Sequence, residues 1–101
     1  MASPNKAHKA TANRIARRYA AALNVRAEEG QIDIWADGYV IAVETTATLE
    51  ESIRRWNEHN QPVYVAVTNR EGLAEAQRLA AETRVGVMDP QGNIVKEAGP
   101  A

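Results

Sequence analysis

Cysteine is absent from the 101 residues, which leaves the chain without a disulfide framework or a thiolate metal site. No run is apolar enough to span a bilayer, and the first residues lack the apolar core of a signal peptide. The expectation is a cytoplasmic protein with no membrane partner. Several site types are missing as well: a Gly-rich phosphate loop, a paired-histidine metal motif and a Gly-x-Ser-x-Gly elbow. The two histidines, His8 and His59, lie far apart in segments of different type. Acids are lacking from the whole first quarter of the chain, all thirteen falling from Glu28 onward.

That last absence hides behind a net charge of −1. Residues 1–27 carry Lys6, Lys9, Arg14, Arg17, Arg18 and Arg26. A basic segment on an otherwise acidic body points to a polyanion partner. The alternative is a solvated helix face whose charges pair with the acidic body. With 45% hydrophobic residues, the length suits one domain over 1–101. Such a domain buries roughly 60–70% of the surface its unfolded chain exposes. Residues 1–4 and 98–101 are expected to be disordered.

The chain reads as an α/β protein, in the order α-β-β-β-α-β-α-β-β. An Ala-rich helix is predicted over about 5–23. His8, Ala12, Ile15, Ala16, Tyr19 and Leu23 share one side of it, and the arginines take the other. His8 on the apolar side reads as a packed histidine with one hydrogen bond. A short strand is expected over Asn24–Glu28. Two strands then flank Asp37-Gly38, a pair favoured in tight reversals. Thr48-Leu49-Glu50-Glu51 has the form of a capping box, with Thr48 as N-cap of a helix to about Glu58. Leu49, Ile53 and Trp56 form its buried stripe. Pro62–Thr68, the most apolar run in the chain, has the β-branched content of a central strand covered on both faces. Asn69 caps a third helix over about 71–83, with Leu73, Ala76, Ala80 and Thr83 inward. Strands at Arg84–Met88 and Asn93–Lys96 flank the turn signal Asp89-Pro90-Gln91-Gly92. Strand–helix–strand alternation implies parallel pairing there. The fold expected is a mixed sheet flanked by helices.

The segment from Gln31 to Thr46 holds the chemistry. Alternation sets Asp33 between two isoleucines and places Glu44 on the face of Val40 and Ala42. A lone buried carboxylate is costly, so each acid needs a partner, a proton or a metal. Two carboxylates with room for water suit Mg²⁺, an ion able to polarise a phosphate and activate an attacking water. The structural alternative makes Asp33 a strand-end cap and Glu44 an edge acid facing solvent.

Gly30-x-x-Asp33-Ile34, about ten residues, then Val40-Ile41-Ala42-Val43-Glu44-Thr45-Thr46 resembles the PD-(D/E)xK nuclease superfamily. Within it, the likeness is to archaeal Holliday-junction resolvases. The resemblance spans about residues 8–68. It implies a restriction-endonuclease-like αβββαβ core, here with an added helix and a C-terminal hairpin. It further implies Asp33 and Glu44 as catalytic metal ligands for Mg²⁺ or Mn²⁺, joined by the backbone carbonyl of Thr45. DNA, branched or structured, would be the substrate. Lys6, Lys9, Arg14, Arg17 and Arg18 would hold its phosphates, and the active form would be a homodimer. The chain departs from this pattern twice. Thr46 stands where the family carries its catalytic lysine, and no acid precedes Glu28 to supply the first-helix ligand. Loss of one preorganised electrostatic donor typically costs about 10²–10³-fold in rate. Lys6, Lys9, Arg54 and Arg55 are the cations that could stand in. The functions expected are thus a metal-dependent endonuclease, a catalytically silent DNA-binding or assembly module of the same fold, or a protein–protein module.

Overall fold

The structure is a computed structural model describing residues 6–19, 22–25, 32–36, 38–58 and 61–99, without the side chains of residues 6, 7, 22–25, 32 and 33. It comprises α1 (Lys6–Arg18), β1 (Ala22–Val25), β2 (Ile32–Ala36), β3 (Tyr39–Glu44), a 3₁₀ turn at Thr46–Thr48, α2 (Leu49–Trp56), β4 (Val63–Val67), α3 (Arg70–Ala80), β5 (Gly86–Met88) and β6 (Ile94–Lys96). The six strands form one sheet in the order β1-β2-β3-β4-β5-β6. The β1–β2, β2–β3 and β5–β6 pairs are antiparallel, and β3–β4 and β4–β5 are parallel. This is the mixed, helix-flanked α/β sheet that the alternation of elements implies.

Two layers cover the sheet. On one face α1 lays Ala12, Ile15 and Ala16 over Ile34, Ile41, Val43, Tyr64, Ala66 and Met88. On the other, Leu49 and Ile53 of α2 join Ala76 and Ala80 of α3 over Val65, Val67, Val85 and Val87. Every residue of β4 is buried, as its continuous apolar run predicts. Burying one side chain such as Ile15 or Leu49 contributes roughly 1.5–3 kcal/mol. Because α2 and α3 lie on one face while the parallel strands advance in one direction, the two crossovers share a hand.

Local signals account for most boundaries. Ala36 pairs with Tyr39 across a two-residue connection, and Gly38 within it stands at φ +86°, a value that costs glycine little. Asn69 caps α3, its side chain accepting the Gly72 N–H at 2.7 Å. Trp56 is half-buried beside the α2–α3 core, in the stripe the periodicity assigns it.

Three expectations need correction. The first helix ends at Arg18, not near Leu23; Leu23 instead pairs with Ile34 in an antiparallel ladder. A strand partner outweighs the helical preference of that Ala-rich run. Thr48 occupies the N-cap position of α2 but makes no side-chain cap bond. Residues 98 and 99 are not frayed. Ala98 packs on the α1 side of the core, and the Gly99 N–H donates to the Arg84 carbonyl at 3.1 Å. The expectations for residues 1–4 and 100–101, and for the part of the first strand after Val25, lie outside the described residues.

Candidate functional site

Glu44 is the last residue of β3, in register with Val67 of β4. That register turns it to the face covered by α2, where it is only 4% exposed. It is therefore not an edge acid facing solvent. The chain leaves β3 through Thr45, makes one tight turn and enters α2, which brings two hydroxyls back onto the carboxylate. Thr48 Oγ1 donates to Oε1 at 2.6 Å, and Ser52 Oγ donates to Oε2 at 2.9 Å. Thr48 and Ser52 are four residues apart and so stand on one side of the helix. A hydrogen bond to a charged group contributes about 1.5–3 kcal/mol. Burial raises the Glu44 pKa above its usual value, as the largest influence. The two hydroxyl bonds and the charges of Arg55 and His8 pull the other way without cancelling it.

The carbonyl of Thr45 is engaged too. It accepts the Thr48 N–H at 3.1 Å and lies 3.2 Å from Thr48 Oγ1. A hydroxyl has one hydrogen, and the much shorter contact to Glu44 claims it. Thr48 Oγ1 is turned onto the Glu44 carboxylate and accepts no N–H from the first turn of α2. Thr46 is exposed, and its Oγ1 lies 3.1 Å from the point where a Cβ on Gly72 would stand. Its hydroxyl rests against the first turn of α3.

Asp33 pairs with Ala42 on β3 and with Asn24 on β1. In backbone register it lies one diagonal step from Glu44, a spacing of about 7–8 Å between antiparallel strands. Its side chain is outside the described residues, as is that of Lys6. Among the described residues no group of three or more His, Asp or Glu side chains is placed to hold a metal ion. Of the candidate replacement cations, Arg54 pairs with Glu50 at 3.6 Å in solvent. Arg55 lies over the Trp56 ring at 5.3 Å, and its charge reaches Glu44. His8 is buried, and its Nε2 stands 2.6 Å from the Val43 carbonyl. A carbonyl only accepts, so this nitrogen carries the proton. The geometry matches the packed-histidine reading.

Lys9, Arg14, Arg17 and Arg18 are exposed along α1. Arg14 Nη1 donates to the Pro90 carbonyl at 2.8 Å, and Arg18 Nη1 to the Gln91 carbonyl at 2.9 Å. These acceptors are neutral, and the nearby Asp89 carboxylate interacts with Arg18 through its charge. Sequence reasoning missed Ser52 altogether and, for Thr48, found the N-cap position but not the bond to Glu44. The signal was present as two hydroxyls at positions +4 and +8 from a carboxylate in an apolar strand. No family model, curated protein or solved structure matches the chain.

Proposed function

We propose that this chain is a nucleic-acid-binding module of nuclease-like layout whose carboxylate site serves the fold rather than phosphodiester hydrolysis. The observation that carries the binding role is the basic side of α1. Lys9, Arg14, Arg17 and Arg18 stand exposed on it, and the ion pairs found among the described residues lie within α2 and α3 instead. Such a face attracts phosphate backbones whatever their sequence. The silent reading is supported by the absence of a lysine at Thr46 and by the prior engagement of Glu44 and the Thr45 carbonyl. To hold a divalent ion, the Glu44 oxygens would have to share or give up the donors they already have in Thr48 and Ser52.

The test is binding of labelled duplex, single-stranded and four-way-junction DNA across a salt series. Four phosphate contacts predict log affinity falling against log salt with a slope of about −3.6 on duplex. Incubation with Mg²⁺ or Mn²⁺ should leave every substrate intact. Binding indifferent to salt refutes the phosphate reading.

One observation favours a second reading, a divalent-metal-dependent endonuclease. Asp33 shares the sheet end and the diagonal step with Glu44, as a pair of metal-binding acids requires. This reading has Thr48 and Ser52 share Glu44 with the ion or give it up. Cleavage of any of the three substrates, lost on Asp33→Ala, would establish it and displace the first.

A further inference from the structure

The turn between β5 and β6 is organised from inside by Asp89. Its carboxylate accepts the backbone N–H groups of Gln91 and Asn93, each at 2.9 Å, and the Asn93 side-chain amide at 3.0 Å. The Gly92 N–H donates to the Asp89 carbonyl at 2.9 Å. With the donors gathered on Asp89, three successive carbonyls are presented to α1. Pro90 accepts from Arg14 Nη1 at 2.8 Å, Gln91 from Arg18 Nη1 at 2.9 Å, and Gly92 from the Tyr19 hydroxyl at 2.7 Å. Arg18 Nη1 also meets Asn93 Oδ1 at 2.8 Å, and its guanidinium lies 5.6 Å over the Tyr19 ring. Gly92 takes φ +86°, and a Cβ there would stand 3.4 Å from Ile15 and 3.5 Å from Arg18. The turn is seated directly on the helix.

A guanidinium offers five N–H donors in a rigid fork. The turn occupies a single nitrogen of Arg14 and a single nitrogen of Arg18, leaving Nε and Nη2 of each available. The acceptors carry no formal charge, so both cations keep theirs. Arg14 and Arg18 are i, i+4 neighbours, about 5–6 Å apart at Cβ. We propose that the 89–93 turn orients Arg14 and Arg18 as a preformed clamp for the backbone phosphates of a nucleic acid, with Asp89 as the positioning residue behind them. This rests on the binding role of α1 given above. The chemistry favours a nucleic acid over a membrane surface. The exposed residues of α1 beside the arginines are Ala10 and Asn13, which supply no large apolar side chain to enter a bilayer.

Preorganisation and simple charge predict opposite signs for one substitution. Asp89→Ala removes an anion whose field is coupled to Arg18. On charge alone it tightens binding to a polyanion. On the clamp it loosens binding, because two long side chains must then be ordered by the ligand. Asp89→Asn carries the same charge as the alanine variant yet keeps an acceptor for the turn. Anisotropy titrations of a labelled 20-mer single strand and a 20-bp duplex compare these proteins at fixed salt, each first shown folded by circular dichroism. The expected result is Asp89→Ala about five- to tenfold weaker than the starting protein and Asp89→Asn within about twofold of it. Asn93→Ala, which leaves net charge unchanged and removes an acceptor from Arg18, should weaken binding about threefold. It also stands in if the Asp89 variants fail to fold. Equal or tighter binding by Asp89→Ala, or no loss in Asn93→Ala, overturns the clamp while leaving the α1 reading in place. No binding of either oligonucleotide by the unmodified chain, or binding of phosphatidylserine vesicles instead, overturns both.

Discussion

Ser52→Ala tests the Glu44 clamp at one atom. The variant removes a single oxygen from the buried side of α2 and leaves Glu44 Oε2 without its 2.9 Å donor. While Glu44 is ionised, the lost bond is one to a charged group, and the cost is about 2 kcal/mol. Once Glu44 is protonated the bond is neutral and its loss costs about 1 kcal/mol. The bond to Ser52 holds the Glu44 pKa down, so the variant has the higher native pKa. Its native state keeps the proton over a pH range in which the unfolded chain, near the ordinary value of 4.5, has released it. Stability of a group whose folded pKa is raised falls as pH climbs from the unfolded pKa through the folded one. The penalty of Ser52→Ala must therefore grow from pH 4 to pH 7. Thermal melts of both proteins at the two pH values read this directly. About 2 kcal/mol in a domain of this size lowers the melting temperature by about 8–16 °C at pH 7, and roughly half that is expected at pH 4. Repeating the comparison in a Glu44→Gln background should give a small, pH-independent loss. A penalty equal at both pH values, or absent at pH 7, refutes the assignment of Ser52 as a donor to an ionisable Glu44.

Other outcomes follow from the same geometry. Gly86→Ala places a Cβ 2.5 Å from Tyr64 Cδ1 and 2.6 Å from the backbone nitrogen of Ala98. Overpacking against backbone should cost about 3 kcal/mol, measured as a lowered urea midpoint with unchanged m-value. Asn69→Ala removes the 2.7 Å cap on Gly72 and should cost about 1 kcal/mol, seen as a melting temperature about 4–8 °C lower. Arg14→Ala with Arg18→Ala should flatten the salt slope of DNA binding by about 1.8 on duplex while leaving the melt within a few degrees.

The readable parts of the fold were those in which a short window carries its own physics. Val63–Val67 needs a two-sided core because no position in it is charged and its one polar atom is the tyrosine hydroxyl. Asn69 needs a helix start because its side chain answers an orphan N–H two to three residues on. Glu44 was legible as an anomaly, a carboxylate in an apolar strand, but not its resolution. Thr48 satisfied a capping pattern on paper, and only the packing of α2 on β3 decided that its hydroxyl serves the carboxylate. The end of α1 was misread because Leu23 fits a helical stripe locally and a ladder with Ile34 globally. The partners of Arg14 and Arg18 lie 76 and 73 residues away, and no periodicity carries that information.

The order of the sheet has a kinetic consequence. Each strand is hydrogen-bonded to the strand before it in the chain, so every pairing closes a short loop whose entropy cost is small. The sheet can be laid down as a zipper during synthesis, one strand at a time, without waiting for a distant partner. The step that breaks this rule is the docking of α1, which packs on Tyr64, Ala66 and Met88 and receives the 89–93 turn. It is the long-range step, and it comes after six strands have found their neighbours. The rate of that docking, not of strand pairing, should limit when α1 acquires its final orientation.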